Sequence, residues 1–354
     1  NGKETRTPLE ALRAPRCQLH TWRRKGVTIF QDLLDRDDEV PRVINLGSGD
    51  ALYVGSGEDF TNFALVYRGR LALIDPSETT IRNLIDLKWL DRIELIYLSH
   101  AHYDHIGGIL ELACRYVEGL ELPSLQVMSA SVVWLQMREL LTVVTGKSAK
   151  TFDGLFAPMK PTRVCTAAGI PYRDGDVERL LIESGPFDGF GFELMRTYGH
   201  PIPTYALKVV TPNGTFAYLV DSAMPPVSVG GKRHERYDDF VSFFGVRSGV
   251  DLLIADAADI EERKHSVHMS AQELLRVFPE HAKRGALWSV HSPLAQKSRD
   301  VRRFEPFDVA EVVHFEERKK QTEFFAKQLL ALGAFQNRHF QVSWEQAEHL
   351  ARVA

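Results

Sequence analysis

The chain has 354 residues, 44% of them hydrophobic, 25% charged and 10% aromatic, and 43 Lys plus Arg stand against 47 Asp plus Glu for a formal charge of −4. That make-up suits a globular chain with ample core material, and without a basic excess it excludes a dedicated non-specific nucleic-acid binder. The absence of any apolar run near ~18 residues excludes a membrane span, while three scattered cysteines (Cys17, Cys114, Cys165) and no apolar leader at the start point to a cytoplasmic protein without a disulfide framework.

Residues 1–41 are polar and charged, end near the acidic run Asp35-Arg36-Asp37-Asp38-Glu39, and read as an N-terminal extension. Short apolar runs bounded by Gly, Asn and Asp follow at Val43–Leu46, Phe63–Tyr67 and Leu71–Ile74, the pattern of buried strands, with a turn at Arg68-Gly69-Arg70. Ser77 is placed to cap a helix carrying Ile81, Leu84, Ile85 and Trp89 on one side. Glu94–Leu98 reads as a strand entering Ser99-His100, and Gly107-Gly108 is expected to open a helix over Ile109–Val117. Val132–Val144 has helical spacing, and the Gly/Pro-punctuated stretch Phe152–Pro171 reads as a loop or flap, so residues 130–190 are expected to form an insertion or lid. Tyr205–Thr211 and Thr215–Val220 flank Pro212-Asn213-Gly214, a hairpin signal. Leu252–Ala255 and Leu287–Val290 are further buried strands. Between them Ser270-Ala271-Gln272-Glu273 is a capping box opening a helix to His281. Beyond residue 305 the pattern turns helical and charged. The expected division is thus an extension over 1–41, a catalytic domain over 42–300, and a helical extension over 301–354.

The chemistry is carried by histidine. His100-Ala101-His102-Tyr103-Asp104-His105 places three imidazoles and a carboxylate at the end of a buried strand, a donor set that suits zinc and is accepted by manganese and iron. The short intervals turn His100 and His102 to one side and Asp104 and His105 to another, so that one loop serves two metals. His200 and Asp221 fall at the open end of the hairpin, His291 directly follows Leu287–Val290, and Asp256 follows Leu252–Ala255. Singly, a His or Asp at a strand end is more often structural. Jointly they supply His100, His102 and His200 to one metal and Asp104, His105 and His291 to a second, with Asp221 bridging.

This ordered set resembles the metallo-β-lactamase superfamily of hydrolases over about residues 42–295, most specifically at the His-x-His-x-Asp-His stretch. Asn45–Ala51, Thr61-Asn62-Phe63, Leu73-Ile74-Asp75-Pro76, Asp251–Ala257, Val267-His268-Met269-Ser270 and Val290-His291-Ser292-Pro293 resemble segments of its RNase Z and phosphodiesterase branch. The resemblance implies an α/β fold, a four-layer αββα sandwich with two divalent metal ions, zinc before manganese or iron, at the edge of the sheets. It departs from RNase Z between His200 and Asp221, where a tight hairpin leaves no room for a tRNA-gripping arm. tRNA is therefore disfavoured, and a small or cyclic nucleotide-type phosphodiester, hydrolysed by a metal-activated water, is expected as substrate. His268 is the expected general acid and Asp256 the carboxylate that fixes its tautomer. Asp104 is counted with them as well as among the ligands. A lactonase or thioesterase on the same metal site is the alternative, and a non-catalytic binding member of the fold a weaker one. Lys297, Arg299, Arg302 and Arg303 offer a phosphate contact, and the apolar segments Phe152–Met159 and Phe187–Phe192 offer a lid or a homodimer contact.

Overall fold

The structure, a computed structural model, describes residues 41–47, 61–159, 162–163, 177–182, 185–256, 266–283, 287–290 and 308–309. The first of two seven-stranded sheets contains β1 (Arg42–Gly47), β2 (Asn62–Tyr67), β3 (Arg70–Ile74), β4 (Ile93–Leu98), β5 (Leu125–Ser129) and β6 (Phe156–Met159) in that spatial order, with β16 (Asp308–Val309) outside β1. The second contains β7 (Thr162–Arg163), β8 (Val177–Leu181), β9 (Gly191–Arg196), β10 (Tyr205–Thr211), β11 (Gly214–Leu219), β14 (Leu252–Asp256) and β15 (Leu287–Val290). A separate small hairpin pairs β12 (Ser228–Val229) with β13 (Lys232–Arg233).

Alternation along the strands builds the layers. On β11, Phe216 and Tyr218 join the core between the sheets, while Ala217 and Leu219 join a second cluster on the far side. On β14, Ile254 takes the inner side and Leu253 and Ala255 the outer one. Between the sheets Phe63 meets Tyr218 edge-on with ring centroids 5.2 Å apart, and Tyr67 meets Phe190 at 4.9 Å. Helices α1 (Glu78–Asp86), α2 (Tyr103–Val117) and α3 (Ser131–Thr145) cover the first sheet through Ile81, Leu84, Ile106, Ile109, Met137 and their neighbours. Helices α4 (Glu235–Phe244), α5 (Ala271–Val277) and α6 (Pro279–Lys283) follow the second sheet, and Phe240, Phe244, Leu274 and Phe278 pack with its outer residues. The αββα sandwich expected from the sequence is the architecture found.

The parallel pairings decide where chemistry can sit. β3 and β4 are parallel, as are β11, β14 and β15, so their carboxyl ends line one edge in each sheet, the place where open α/β sheets bind ligands. The two edges are joined: the Tyr205 backbone N–H donates to the Ser99 carbonyl at 3.0 Å, and the Tyr97 hydroxyl donates to the Tyr205 carbonyl.

Several local expectations hold in detail. Ser77 caps α1, its side chain accepting from the Thr80 N–H at 3.0 Å, and Ser270 and Glu273 form both bonds of the capping box. Arg68 (φ 48°) and Gly69 (φ 70°) make the two-residue turn between β2 and β3, the left-handed pair that matches strand twist. Others change. Gly107 and Gly108 do not open a helix: α2 starts at Tyr103, and the pair lies inside it. A Cβ on Gly108 would stand 2.4 Å from the Pro76 carbonyl oxygen and 2.8 Å from Ile81 Cγ1, so glycine here serves close packing of α2 on the start of α1. The stretch expected as a flap supplies β6, which pairs in parallel with β5, and β7 in the opposite sheet. Phe152, Phe156, Phe187, Phe190 and Phe192 are buried within the chain itself, which removes them as a lid or dimer surface: these rings fill its core. The helix expected to reach His281 is broken in two by Pro279, which lacks the N–H to continue α5. Asp308–Val309, expected as part of a helical extension, pairs antiparallel with β1, because that strand offers the sheet's open edge. The rest of 301–354, and residues 1–40, lie outside the described residues. Among the described residues no helix is long and apolar enough to cross a membrane.

Replacing Gly108 with alanine should destabilise the fold by about 1–3 kcal/mol, the usual cost of overpacking. A lowered midpoint in thermal or urea unfolding checks this, and an unchanged midpoint would show that α2 can shift away from Pro76.

Candidate metal centre

Each strand end contributes a polar group to the joined edge. Asp75 directly follows β3, Ser99 and His100 follow β4, Asp221 lies two residues beyond β11 and Asp256 ends β14, all of them buried. His102 is the N-cap residue of α2, and Asp104 and His105 form its first turn. His200 sits in the loop between β9 and β10, a loop tied down where the Thr197 N–H donates to the Thr204 carbonyl at 2.8 Å.

Three imidazoles and a carboxylate converge. His100 Nε2 and His200 Nε2 each lie 3.1 Å from His102 Nδ1, and Asp221 Oδ2 lies 3.4 Å from His100 Nε2 and 3.9 Å from His200 Nε2. For donors about 2.0–2.1 Å from a central ion, tetrahedral geometry places neighbours about 3.3–3.4 Å apart, and these separations bracket that value. The donor atoms of His100, His102, His200 and Asp221 all fall within 4.8 Å of one another. On the far side of Asp221, its Oδ2 is 3.6 Å from His105 Nε2, which is 3.4 Å from Asp104 Oδ2. Asp221 thus stands between His100 and His200 on one side and His105 on the other. It adopts φ 22°, an uncommon backbone angle for a non-glycine residue that aims its side chain into the cluster.

The hydrogen bonds behind the imidazoles fix which nitrogens face inward. Asp75 accepts from the Ser99 N–H at 2.7 Å through Oδ1, and from the Ser99 hydroxyl at 2.6 Å through Oδ2. With its proton given to Asp75, the Ser99 hydroxyl accepts from His100 Nδ1 at 2.9 Å. Asp75 Oδ2 also accepts from His105 Nδ1 at 2.9 Å. Both rings therefore turn Nε2 toward the cluster; that of His100 is the neutral tautomer a metal ligand needs, and that of His105 would give up its proton to a metal. Asp75 is the functional residue that the sequence pattern missed. The sequence placed it in the resembling segment Leu73-Ile74-Asp75-Pro76 but gave it no role, as one more aspartate closing a buried strand.

Electrostatics point the same way. Burial lowers the pKa of His100 and of His102, and pushes that of His200 down to about 3, so all three rings are held neutral. Burial also opposes charge on His105, but Asp104, Asp221 and Asp75 outweigh it and carry that pKa well above its ordinary value. Neutral nitrogens beside a field that holds a cation on His105 are the donor chemistry a divalent metal requires. The residues fit the group.

Beside the cluster, Asp256 Oδ2 and His268 Nδ1 are 2.5 Å apart, and the His268 ring stands 5.8 Å from that of His200. Donor atoms of Asp221, Asp256 and His268 fall within 4.8 Å of one another. The strand before His291 is in place, with Val290 opposite Asp256 in the ladder. His291 itself lies outside the described residues, as do Lys297, Arg299, Arg302 and Arg303.

Comparison with known proteins gives four findings. A family model described as Anti-Pycsar protein Apyc1 matches residues 42–307. The structure is similar to YhfI from Bacillus subtilis, a metallo-β-lactamase fold protein, with a TM-score of 0.50 at 18% identity, covering 72% of this chain and 87% of that one. It is also similar to unliganded yeast PDE1, with a TM-score of 0.50 at 11% identity over 81% of this chain and 95% of the other. The fold expected from the sequence resemblance is thereby the fold found. A hydroxyacylglutathione hydrolase of Salmonella arizonae is 41% identical over 46 residues, a stretch spanning 12% of this chain and 18% of that enzyme.

Replacing His102 or Asp221 with alanine should remove bound metal and hydrolytic activity together, read by elemental analysis of the purified variants; full metal content in either would contradict the assignment. The pKa shifts give a second expectation. In the unfolded chain the imidazoles of His100, His102 and His200 take up protons below about pH 6.5, whereas in the fold they resist them, His200 down to about 3. Stability is therefore lost as pH falls through that window. His105 acts in the opposite sense, losing its contribution only as pH rises through its raised folded value. In chelator, the thermal midpoint should drop between pH 6.5 and pH 5, and a flat or rising midpoint would contradict this.

Proposed function

The chain belongs to the Anti-Pycsar protein Apyc1 family, and on that premise we propose that it is a metal-dependent phosphodiesterase acting on a small or cyclic nucleotide-type phosphodiester. The observation that carries the proposal is the Asp256–His268 pair beside the bridging aspartate. A thioester departs as a thiolate that needs no proton, whereas a phosphodiester that departs as a sugar alkoxide needs a proton delivered to its oxygen. With Asp256 accepting from Nδ1–H, His268 keeps Nε2 for that task. Its side chain is 25% exposed while that of Asp256 is 1% exposed, so the acid meets solvent and substrate and its carboxylate partner does not.

His100, His102, His200 and Asp221 hold one ion in this reading, and Asp104, His105, His291 and Asp221 a second, with zinc the best match to the nitrogen-rich set. Bound there, the pair supplies Lewis acidity toward the phosphoryl oxygens and lowers the pKa of water toward neutrality. The remaining work falls to the chain. Asp75 orients His105 directly and His100 through Ser99, and Asp221 holds the two halves of the cluster in register. His268 donates to the leaving oxygen. A small substrate is favoured over tRNA because β10 and β11 are joined by a two-residue turn at Pro212-Asn213, Thr211 being paired with Gly214. Nothing longer projects between His200 and Asp221. The partners in this reading are small phosphodiesters, met in the cytoplasm that the cysteine usage suggests.

A second reading, hydrolysis of a thioester or lactone at the same centre, has one observation in its favour, the short match to a hydroxyacylglutathione hydrolase. Leaving-group dependence separates the two. His268→Ala should retain metal and lower kcat on a 2′,3′- or 3′,5′-cyclic nucleotide by about 10²–10⁴-fold. The same variant should lose far less on bis(p-nitrophenyl) phosphate, whose leaving phenolate needs no proton. Equal losses on both would remove His268 from the acid role, and turnover of a thioester but of neither diester would establish the second reading.

A further inference from the structure

Beneath the cluster lies a polar group that neither the ligand set nor the acid pair uses. Tyr218 is on β11, three residues before Asp221, and turns toward the first sheet, where its ring packs edge-on against Phe63. In the ladders Tyr218 lies opposite Ile254, two residues before Asp256, and Phe63 lies opposite Ile74, the residue before Asp75. Tyr218 is therefore bracketed by the three strands whose ends carry Asp75, Asp221 and Asp256. The residue is 0% exposed, and among the described residues its hydroxyl has no hydrogen-bond partner. Asp75, Asp221 and Asp256 are close enough to act on it electrostatically and, with burial as the largest cause, its pKa is raised well above the usual value.

A buried hydroxyl without an acceptor costs free energy that phenylalanine, of the same shape, would not. The ring alone accounts for the contact with Phe63, so packing does not explain the oxygen. Its surroundings do: donor atoms of Asp221 and Asp256 lie within 4.8 Å of one another, Asp75 and Asp221 both face His105 at 2.9 and 3.6 Å, and all three carboxylates are acceptors.

We propose that the Tyr218 hydroxyl is a positioning group of the metal centre, donating through a buried water to the carboxylate floor formed by Asp75, Asp221 and Asp256. A water at such a site needs two to four polar partners, and the phenol with these carboxylates provides them. The bond network then restrains the carboxylates in the orientation that grips the imidazoles and the ion. This inference rests on the metal-binding reading above and adds to it a residue outside the ligand set.

The test is Tyr218→Phe in the full chain, with zinc as the probe. Zinc affinity, measured by competition against a chromophoric chelator, should weaken about tenfold or more, the usual effect of losing an outer-shell partner. The thermal midpoint of the metal-free protein should change little, because the phenylalanine ring keeps the packing against Phe63. Zinc affinity within twofold of wild type would overturn the inference while leaving the metal centre intact. A loss of affinity accompanied by a lower metal-free midpoint would overturn it too, since the hydroxyl would then serve the fold. Failure of the wild-type protein to bind zinc at all would overturn both this inference and the reading beneath it.

Discussion

One carboxylate holds the histidine motif to the sheet. Asp75 accepts three hydrogen bonds, from the Ser99 N–H, the Ser99 hydroxyl and His105 Nδ1, and its own N–H donates to the Tyr97 carbonyl. A fully buried aspartate must have its charge answered on every side, and here the answering donors belong to the segment that carries the imidazoles. The φ of 49° at Asp75 is unusual for a non-glycine residue. Such an angle persists only where surrounding bonds over-determine it, as they do here. If the Asp75 interactions are removed, His100 and His105 lose the bonds that choose their tautomers.

The rest of the fold makes that interaction useful. Two parallel sets of strands deliver buried carboxylates to one edge, and the bonds between Tyr205 and the β4 end hold the two edges together. Residues distant in sequence thus meet: His102 and His200 come within 3.1 Å, and Asp221 lies between His200 and His105. The aromatic core between the sheets supplies rigidity, with Phe63, Tyr67, Phe190 and Tyr218 packed ring against ring. A metal site tolerates only small errors in donor position, and donors mounted at the ends of sheet strands are better constrained than donors on free loops.

The parts of the site legible in the sequence were those where local pattern and chemistry coincide. The His-x-His-x-Asp-His stretch is readable because so many donors in so short a span have no common structural use, and the strands around it are readable because buried runs are short and bounded. The capping box at Ser270 is local by nature. Gly107-Gly108 misled because a glycine pair has the same appearance whether it opens a helix or lets one helix press upon another. Phe152–Met159 misled because punctuation by Gly and Pro hid an edge strand, which needs few residues and one neighbour. Asp75 was passed over because an aspartate after a strand carries no signal of what it accepts.

The sequence by itself determined the donor inventory, the order of the strands' apolar runs and the superfamily, since each depends on residue type and spacing within short segments. Only the tertiary structure decided which donors share a site, which nitrogen of each imidazole faces inward, that Asp75 anchors two of them, and that the Tyr218 hydroxyl lies beneath the carboxylates. Those facts depend on the pairing of β3, β4, β11 and β14 across two sheets, and long-range strand pairing leaves no local trace in the residues it brings together.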